Sequence, residues 1–306
     1  MIVGGHIALI ANPRAGRGRG RRDAETAIAA LRRCGSDVRA YAGESAAETR
    51  ELVVQALAAN PDVLVIVGGD GTVSGIADVL AASGVPLTLV PAGTGNDLAR
   101  ALGLPRRDAA AAAELAVHGS IRVIDVGEVR SGASTTPFLS VAALGFDAKV
   151  SDRTNQLRWP RGALRYYLAL VIELLRLRPM EFRLSVDGGT EVDTPGTLIA
   201  VGNTASYGGG MPVCVGAAPD DGLLDVVQVV PLTRRRLLRL FPLLLRGRHL
   251  QHPEVRHQRA ATVRVSAPGL VVYADGERVG ADECEITVRP AALRIMAPAE
   301  RKSRDA

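Results

Sequence analysis

The residues with the clearest chemical potential are carboxylates placed next to glycines. An apolar run at 63–67 leads directly into the turn Gly68, Gly69, Asp70, Gly71 and Thr72. A helical pattern begins at about Ser74. Glycines let backbone N–H groups approach a ligand, and the start of a helix favours a phosphate. Because like charges repel, Asp70 then indicates a divalent cation or a ligand hydroxyl beside that phosphate. The alternative is an ordinary strand-to-helix turn with a capping aspartate, and these residues alone do not decide.

Two further polar turns follow apolar runs in the first third of the chain. Asn12 opens a basic, glycine-rich loop after the run 6–11, but Arg21 stands where a dinucleotide-binding fingerprint requires glycine. A second turn follows the run 86–90 and consists of Gly93, Thr94, Gly95, Asn96 and Asp97. Ligands of parallel sheets bind outside the carboxyl ends of the strands. We therefore expect all three turns to meet at one edge of a sheet.

Alternating strand and helix patterns position these turns. Helices are predicted at about 23–33 and 47–58, and a short helix is predicted to end near Leu102. A further strand is predicted near 37–41, between the first two helices. This alternation is typical of a doubly wound parallel α/β sheet.

The pattern changes after residue 120. Segments 121–129 and 138–144 predict a hairpin around a Ser/Gly/Thr turn. Further short strands are predicted at 182–186, 191–192, 197–201, 223–230, 262–265, 270–274 and 285–289. Such spans indicate a mainly antiparallel β-sandwich. We therefore expect an α/β domain at 1–120, a β-sandwich domain at 121–290, and a tail at 291–306, for which a return to the first domain is one option.

Two apolar helices interrupt the second half. One carries Leu164, Leu168, Ile172 and Leu175, with Arg158, Arg161 and Arg165 nearby. The other carries Leu237, Phe241, Leu244 and Leu245 after a Thr233 cap and three arginines, and Pro242 is expected to kink it. Each stripe either packs on the sheet or lines an apolar pocket or a membrane surface, with arginines at the headgroup level.

Composition limits the classes of partner. The 306 residues favour two domains, and an apolar fraction of 47% supports a sizeable core. The net charge of +5 favours anionic partners, although heavy arginine use can equally reflect a GC-rich genome. Three widely spaced cysteines, no leader and no long apolar span predict a reducing cytoplasm.

Three acidic segments lie after residue 120. Asp125 follows the change of pattern, and Asp220 and Asp221 precede a predicted strand. Asp275 lies between two apolar runs and is followed by Gly276. Asp-Gly between strands is the strongest hairpin signal, so Asp275 taken alone is interpreted as a turn residue. Asp187, also followed by glycine, makes the same pattern with no chemistry implied.

Taken in order, these pieces resemble the diacylglycerol kinase catalytic family, which also contains sphingosine and ceramide kinases. The matching pieces are 12–16, 68–72, 91–97, Gly145-Phe146-Asp147, Gly202-Asn203, 219–225 and 275–277. The resemblance implies a nucleotide-binding N-terminal domain akin to those of phosphofructokinases and NAD kinases. It also implies a β-sandwich domain carrying the lipid site, with ATP in the cleft between them.

The resemblance also implies residue roles. Asp70, Asp97 and Asp125 help organise nucleotide and Mg²⁺, together with Asn12 and the turns 68–72 and 93–96. Asp221 and Asp220, with the backbone of Leu223, form a structural Mg²⁺ site. Asp275 is the general base, Glu277 is its neighbour, and Asp70 joins them in catalysis. One departure is visible, because segment 41–45 lacks the threonine that commonly contacts the nucleotide, so that contact is lost or moves to Ser45.

The implied activity is an ATP- and Mg²⁺-dependent lipid kinase that converts diacylglycerol to phosphatidic acid. A sphingoid base or another hydroxyl lipid is the alternative acceptor, and an NAD kinase or a non-catalytic nucleotide-binding protein are weaker alternatives. We expect a lipid substrate, reversible contact with an anionic membrane surface and no nucleic acid, and leave a homodimer open. The expected location is cytoplasmic, peripheral at the inner membrane face.

Overall fold

The computed structural model describes residues 5–13, 15–157, 159 and 163–299. The chain divides into two compact units, Met1–Ile124 with Ala291–Ala306 (unit 1) and Asp125–Pro290 (unit 2). Arg14, Arg158, Arg161, the side chain of Leu164 and the tail from residue 300 lie outside the described residues.

Unit 1 is a parallel sheet flanked by helices. Its elements in chain order are β1 (His6–Ala11), α1 (Ala15–Gly18), α2 (Gly20–Arg33), β2 (Asp37–Ala42), α3 (Ala46–Ala58), β3 (Val63–Gly68), α4 (Asp70–Ser74), α5 (Ala77–Ser83), β4 (Leu87–Pro91), α6 (Asp97–Ala101), α7 (Ala109–His118), the start of β5 (Ser120–Ser131) and the end of β14 (Glu277–Ala297). The strand order is β14-β4-β3-β1-β2, with all of these pairs parallel. Every residue of β3 is buried, as expected for a strand covered on both faces. The predicted doubly wound fold is confirmed.

The helix after the first glycine turn begins earlier than predicted. Strand β3 is followed at once by α4, which starts at Asp70 rather than near Ser74, and α5 continues from Ala77. The carbonyl of Gly69 already accepts the N–H of Thr72 at 3.0 Å. Glycines have low helix propensity and hide this short turn in the sequence pattern. Helix α2 likewise starts at Gly20, three residues before the prediction.

Unit 2 is mainly antiparallel. Its elements are the rest of β5, β6 (Ser134–Phe138), β7 (Val141–Gly145), α8 (Phe146–Gln156), α9 (Ala163–Leu175), β8 (Met180–Val186), β9 (Val192–Gly196), β10 (Leu198–Gly202), β11 (Leu224–Val229), α10 (Arg234–Leu245), a 3₁₀ turn (His249–Gln251), β12 (Val255–Ala260), β13 (Thr262–Ala274) and the first part of β14. The order is β12-β11-β10-β7-β13-β14, with β5–β6 and β8–β9 hairpins at its margins. The predicted antiparallel sandwich is confirmed.

Several strand predictions in unit 2 need correction. The segment 138–144 is not one strand, because β6 ends at Phe138 and β7 begins at Val141. The N–H groups of Leu139 and Ser140, between the two strands, donate to the side chain of Asp275 instead of to a neighbouring strand. The segments 262–265 and 270–274 form the single strand β13, with a register shift inside it. The segment 285–289 is part of the much longer β14. Strand β12 escaped prediction because its middle residues are polar and exposed.

The two apolar helices were located correctly from the sequence. Helix α10 begins after Thr233, whose hydroxyl accepts the N–H of Arg236 at 3.3 Å. The Arg234 guanidinium donates to the carbonyl of Leu175, which ties α10 to the end of α9. In the part of the chain that the structure describes, no helix is long and apolar enough to cross a membrane.

Candidate active site

The glycine turns of unit 1 pack directly on one another. A Cβ on Gly93 would lie 2.7 Å from the Cα of Gly69, and a Cβ on Gly16 would lie 2.0 Å from the carbonyl oxygen of Ala92. Real Cβ atoms do not approach other atoms this closely, so only glycine fits at both places. The turns after β1, β3 and β4 therefore meet at one edge of the sheet, as the sequence predicted, and part of their glycine content serves that packing.

Asp70 links two of these turns through its carboxylate. Its two oxygens accept the backbone N–H groups of Asp97 at 2.8 Å and of Leu98 at 3.3 Å. These are the first N–H groups of α6, which have no partner inside the helix. Asp70 therefore does cap a helix, as the alternative interpretation of this turn proposed. The helix that it caps is α6, however, and not α4, which begins at Asp70 itself. The positive end of α6 also offsets part of the negative charge of Asp70.

The remaining polar residues of the turn after β4 are held in place. The buried carboxylate of Asp97 pairs with Arg100 at 3.2 Å. The Asn96 side-chain amide donates to the carbonyl of Gly93 at 3.0 Å from a left-handed backbone (φ 52°). By contrast Gly71 and Thr94 are exposed, and a Cβ on Gly71 would meet no atom of the described residues within 4 Å. The backbone beside Gly71 is thus open, and its predicted contact with a nucleotide stays a prediction.

Asn12 and Ser45, two other residues predicted to contact the nucleotide, take part in hydrogen bonds within unit 1. The carbonyl of Asn12 accepts the N–H of Ala15 at 3.0 Å, and a Cβ on Gly20 would lie 2.1 Å from the same oxygen. The Ser45 hydroxyl accepts the N–H of Glu48 at 3.2 Å and caps α3. Ser45 therefore serves a helix cap, and its predicted contact with the nucleotide stays untested.

In unit 2, Asp275 fixes the link between β6 and β7. Its two carboxylate oxygens accept the N–H groups of Leu139 at 2.7 Å and of Ser140 at 2.9 Å. Asp275 has a left-handed backbone (φ 47°) and is half-buried, in the turn between β13 and β14. Glu277, the first residue of β14, is exposed. The carboxylate of Asp275 is thus oriented by the main chain at the tip of a turn.

Asp187 reproduces most of this arrangement. It also has a left-handed backbone (φ 49°), and its Oδ1 atom accepts the N–H groups of Ala261 and Thr262, each at 2.8 Å. The difference is that Asp187 is exposed and uses one oxygen for both of these bonds, whereas Asp275 is half-buried and uses both oxygens. Because the two carboxylates are so alike, the backbone contacts alone do not identify a base.

Asn203 joins the turns of unit 2, and no role for its side chain was predicted. Its buried side-chain amide donates to the carbonyl of Asp125 at 3.1 Å and to that of Leu139 at 3.2 Å. The carboxylate of Asp125 in turn accepts the N–H of Gly222 at 2.7 Å. Asp125, predicted to contact nucleotide with Asp70 and Asp97, thus lies in unit 2, beside the turn 219–222, which we call the acidic turn. In the sequence, only the Gly202-Asn203 motif indicated that Asn203 has a role in this part of the protein.

The predicted metal residues lie at this acidic turn. Asp221 accepts the N–H of Leu223 at 3.0 Å and forms an ion pair with Arg259, and Asp220 is exposed. No group of three or more His, Cys, Asp or Glu side chains in the described residues is placed to hold a metal ion. The predicted site needs only two carboxylates and backbone, and such oxygen donors suit Mg²⁺, which keeps several waters. A cation bound by Asp221 would compete with Arg259, so the site stays a prediction.

Asp147, at the start of α8, belongs to the Gly145-Phe146-Asp147 piece, for which no role was predicted from the sequence. Its carboxylate accepts the hydroxyl of Tyr207 at 3.1 Å and the N–H of Ala148 at 2.9 Å. Burial raises the pKa of Asp147 to about 7, and the hydrogen bond from Tyr207 opposes that rise. A carboxyl group that titrates near neutral pH therefore lies in unit 2.

The fold and the two sets of turns define a two-domain phosphotransferase. The Diacylglycerol kinase catalytic domain family matches residues 6–129, and the YegS C-terminal NAD kinase beta sandwich-like domain family matches residues 140–297. The chain is 44% identical to a diacylglycerol kinase of Mycobacterium tuberculosis over 96% of both chains. It is 36% identical to a Probable lipid kinase YegS-like of Pseudomonas fluorescens, over 90% of this chain and 91% of that protein.

This chain therefore belongs to the diacylglycerol kinase family of lipid kinases, and membership implies that it uses ATP. Solved structures support the same fold. A diacylglycerol kinase from Bacillus anthracis superposes with a TM-score of 0.75 at 22% identity, covering 95% of this chain and 96% of that one. An NAD kinase from Archaeoglobus fulgidus in complex with ATP gives 0.52 at 17% identity, covering 95% and 93%.

Two glycine variants separate packing from ligand binding in unit 1. Gly93→Ala should lower the free energy of unfolding by ~1–3 kcal/mol, because its methyl group meets backbone of the neighbouring turn. Gly71→Ala should leave stability near wild type but weaken ATP binding by roughly tenfold, because its methyl group occupies the open approach. Urea unfolding and ATP titration calorimetry measure the two effects. Wild-type ATP affinity in Gly71→Ala would show that the nucleotide does not approach there.

Asp147 predicts a pH-dependent difference in stability. Its folded-state pKa is raised from 3.8 to about 7, so ionisation destabilises the fold increasingly as the pH rises between those values. Asp147→Asn stays neutral, so its stability relative to wild type should increase from pH 4 to pH 7, by on the order of a few kcal/mol. Denaturant unfolding at both pH values measures it. A difference independent of pH would contradict the shifted pKa.

Proposed function

We propose that this lipid kinase transfers the γ-phosphate of ATP to the free hydroxyl of diacylglycerol and yields phosphatidic acid, with Mg²⁺ as the required ion. The observation that carries the proposal is the 44% identity to a diacylglycerol kinase over 96% of this chain; within this chain, Asp275, half-buried and oriented by two backbone N–H groups, is the base that we propose. The choice of diacylglycerol rests on the name of the Mycobacterium tuberculosis relative.

Phosphoryl transfer depends on the positioning of the reactants and on neutralisation of the phosphate charge more than on covalent catalysis. The open backbone at Gly71 binds phosphate oxygens, and Mg²⁺ supplies neutralisation of their charge when it is bound. Asp275 accepts the proton of the acceptor hydroxyl as its oxygen bonds to the γ-phosphorus, while the bond to the β–γ bridging oxygen breaks and ADP leaves. Asp125 and Asn203 hold the acidic turn and the β6–β7 link in fixed positions. Asp221 and Leu223, with Asp220, are the residues that would hold a structural Mg²⁺.

The acceptor has one serious alternative. The Pseudomonas fluorescens relative is named only as a lipid kinase, so a sphingoid base or another hydroxyl lipid competes with diacylglycerol. The likeness to NAD kinase is a likeness of fold, at 17% identity. The acidic turns at Asp221 and Asp275 fit a lipid kinase better than a non-catalytic nucleotide-binding protein.

We also propose reversible contact with an anionic membrane surface, at the cytoplasmic face. Several large apolar side chains on and before the two apolar helices of unit 2 are exposed, namely Trp159, Val171, Leu175, Leu238 and Leu245. Helix α10 adds three consecutive arginines at its start. Apolar side chains next to basic groups suit the interface of an anionic bilayer.

A lipid panel tests the acceptor. With radiolabelled ATP and mixed micelles, diacylglycerol should be phosphorylated at least about tenfold faster than sphingosine, ceramide or monoacylglycerol, a ratio within reach of an apolar pocket that discriminates between the acyl or alkyl parts of the lipids. Chelation of Mg²⁺ should abolish turnover. Faster labelling of another lipid would replace diacylglycerol in the proposal. No labelling of any lipid, with labelling of NAD, would overturn the lipid kinase activity itself.

Asp275→Asn tests the base, with Asp187→Asn as a matched control. Asp275→Asn replaces one of two accepting oxygens by an amide NH2 and should lose ~1–3 kcal/mol of stability. Asp187→Asn keeps the one oxygen that accepts both N–H groups, so it should lose less. Only Asp275→Asn should lose turnover, by ~10²–10⁴-fold, because it removes the proton acceptor. The measurements are kcat, thermal melting and ATP affinity for both variants. Equal kcat values in the two variants would make Asp275 a turn residue only.

A further inference from the structure

Unit 2 contains a cavity with a basic lining. Its volume is about 290 Å³, and it lies between α8, the residues after α9 and the start of β8. The charged side chains that line it are Lys149, Asp152, Arg153, Glu173, Arg176 and Arg178. Four basic groups thus face two acidic groups, a surplus of two positive charges. We call this cavity the α8–α9 pocket.

Both carboxylates of the α8–α9 pocket are already committed. Glu173 is buried and pairs with Arg153 at 2.7 Å. Asp152 accepts the hydroxyl of Tyr273 at 3.1 Å and the side-chain amide of Gln156 at 2.6 Å. It also lies 3.7 Å from Arg278. The acidic groups therefore serve the packing of α8 and do not neutralise the other cations.

Three cations of the pocket lack an anionic partner among the described side chains. Among the residues that the structure describes, no carboxylate lies within 4.0 Å of the charged groups of Lys149, Arg176 or Arg178. Lys149 is half-buried, and a partly desolvated cation near other cations is unfavourable until an anion binds. Lys149 is also one of only two lysines in the chain, and its ammonium offers three donors on a compact charge.

We propose that the α8–α9 pocket binds the phosphate group of a phosphate mono- or diester. The volume lies at the lower end of small-molecule sites, roughly 300–1,000 Å³, so the pocket suits a headgroup rather than a whole lipid. Asp152 contacts Tyr273 on β13, two residues before Asp275, so the pocket borders the strand that leads into the turn of the proposed base. This goes beyond the proposed function and does not depend on which hydroxyl lipid is the acceptor.

Two double variants test the pocket. Lys149→Gln with Arg176→Gln removes two pocket cations. Arg183→Gln with Arg256→Gln removes two exposed arginines of the same unit outside the pocket. One arm follows thermal melting in inorganic phosphate against chloride at equal ionic strength. The other follows sedimentation with phosphatidylglycerol–phosphatidylcholine vesicles against phosphatidylcholine alone. All proteins keep unit 1 unchanged, so phosphate bound there cancels in the comparison.

The pocket variant should bind more weakly by roughly fivefold for each removed cation, and the control by less than about twofold. A loss confined to the phosphate arm identifies a soluble phosphate, a loss confined to the vesicle arm identifies a lipid headgroup, and a loss in both admits either. Equal losses in pocket and control variants, or no anion preference in wild type, overturn the proposal. If the double variant fails to fold, Arg178→Gln replaces it, with an expected loss of roughly fivefold. No arm measures turnover, so this test and that of the kinase activity fail independently.

Discussion

A carboxylate that accepts two neighbouring backbone N–H groups is the interaction on which both sets of turns depend. Asp70 holds the first residues of α6 in this way, and Asp275 holds the link between β6 and β7. Such charge-assisted bonds are roughly twice as strong as neutral ones. In unit 1 they act together with glycines, because the backbone at Gly69 and Gly93 approaches too closely to admit a Cβ. Asp70 and Asp275 therefore stabilise the turns of the fold, in addition to any role that they have in catalysis.

This double role changes how the acidic residues should be interpreted. A kinase needs carboxylates in fixed positions, and here the main chain supplies that fixation in the folded protein. Asp187 shows that the fold uses the same device where no chemistry is expected. Loss of activity in a variant at Asp70 or Asp275 therefore has two physical causes, the loss of the charge and the loosening of a turn. Only a comparison with a carboxylate such as Asp187 separates them.

The sequence predicted the architecture well because architecture leaves a periodic trace. Buried β-branched runs such as β3 and the glycines after them located the parallel strands, and the ordered motifs indicated the family. The long-range bonds left no such trace. Asp70 and Leu98 are 28 residues apart, and Asn203 bridges to a residue 78 positions earlier. Strand β12 was missed for a different reason, because its polar middle residues resemble a loop.

Hydrogen exchange in Asp70→Ala tests the central claim most directly. If the carboxylate of Asp70 holds the start of α6, the amides of Asp97 and Leu98 should exchange roughly tenfold to a hundredfold faster in the variant than in the wild type. This factor corresponds to the ~1.5–3 kcal/mol that a hydrogen bond to a charged group contributes. The core amides of β3 should keep their protection. Asp78→Ala, which removes an exposed ion pair with Arg50, should leave α6 unchanged. Unchanged exchange at Asp97 and Leu98 in Asp70→Ala would contradict the account.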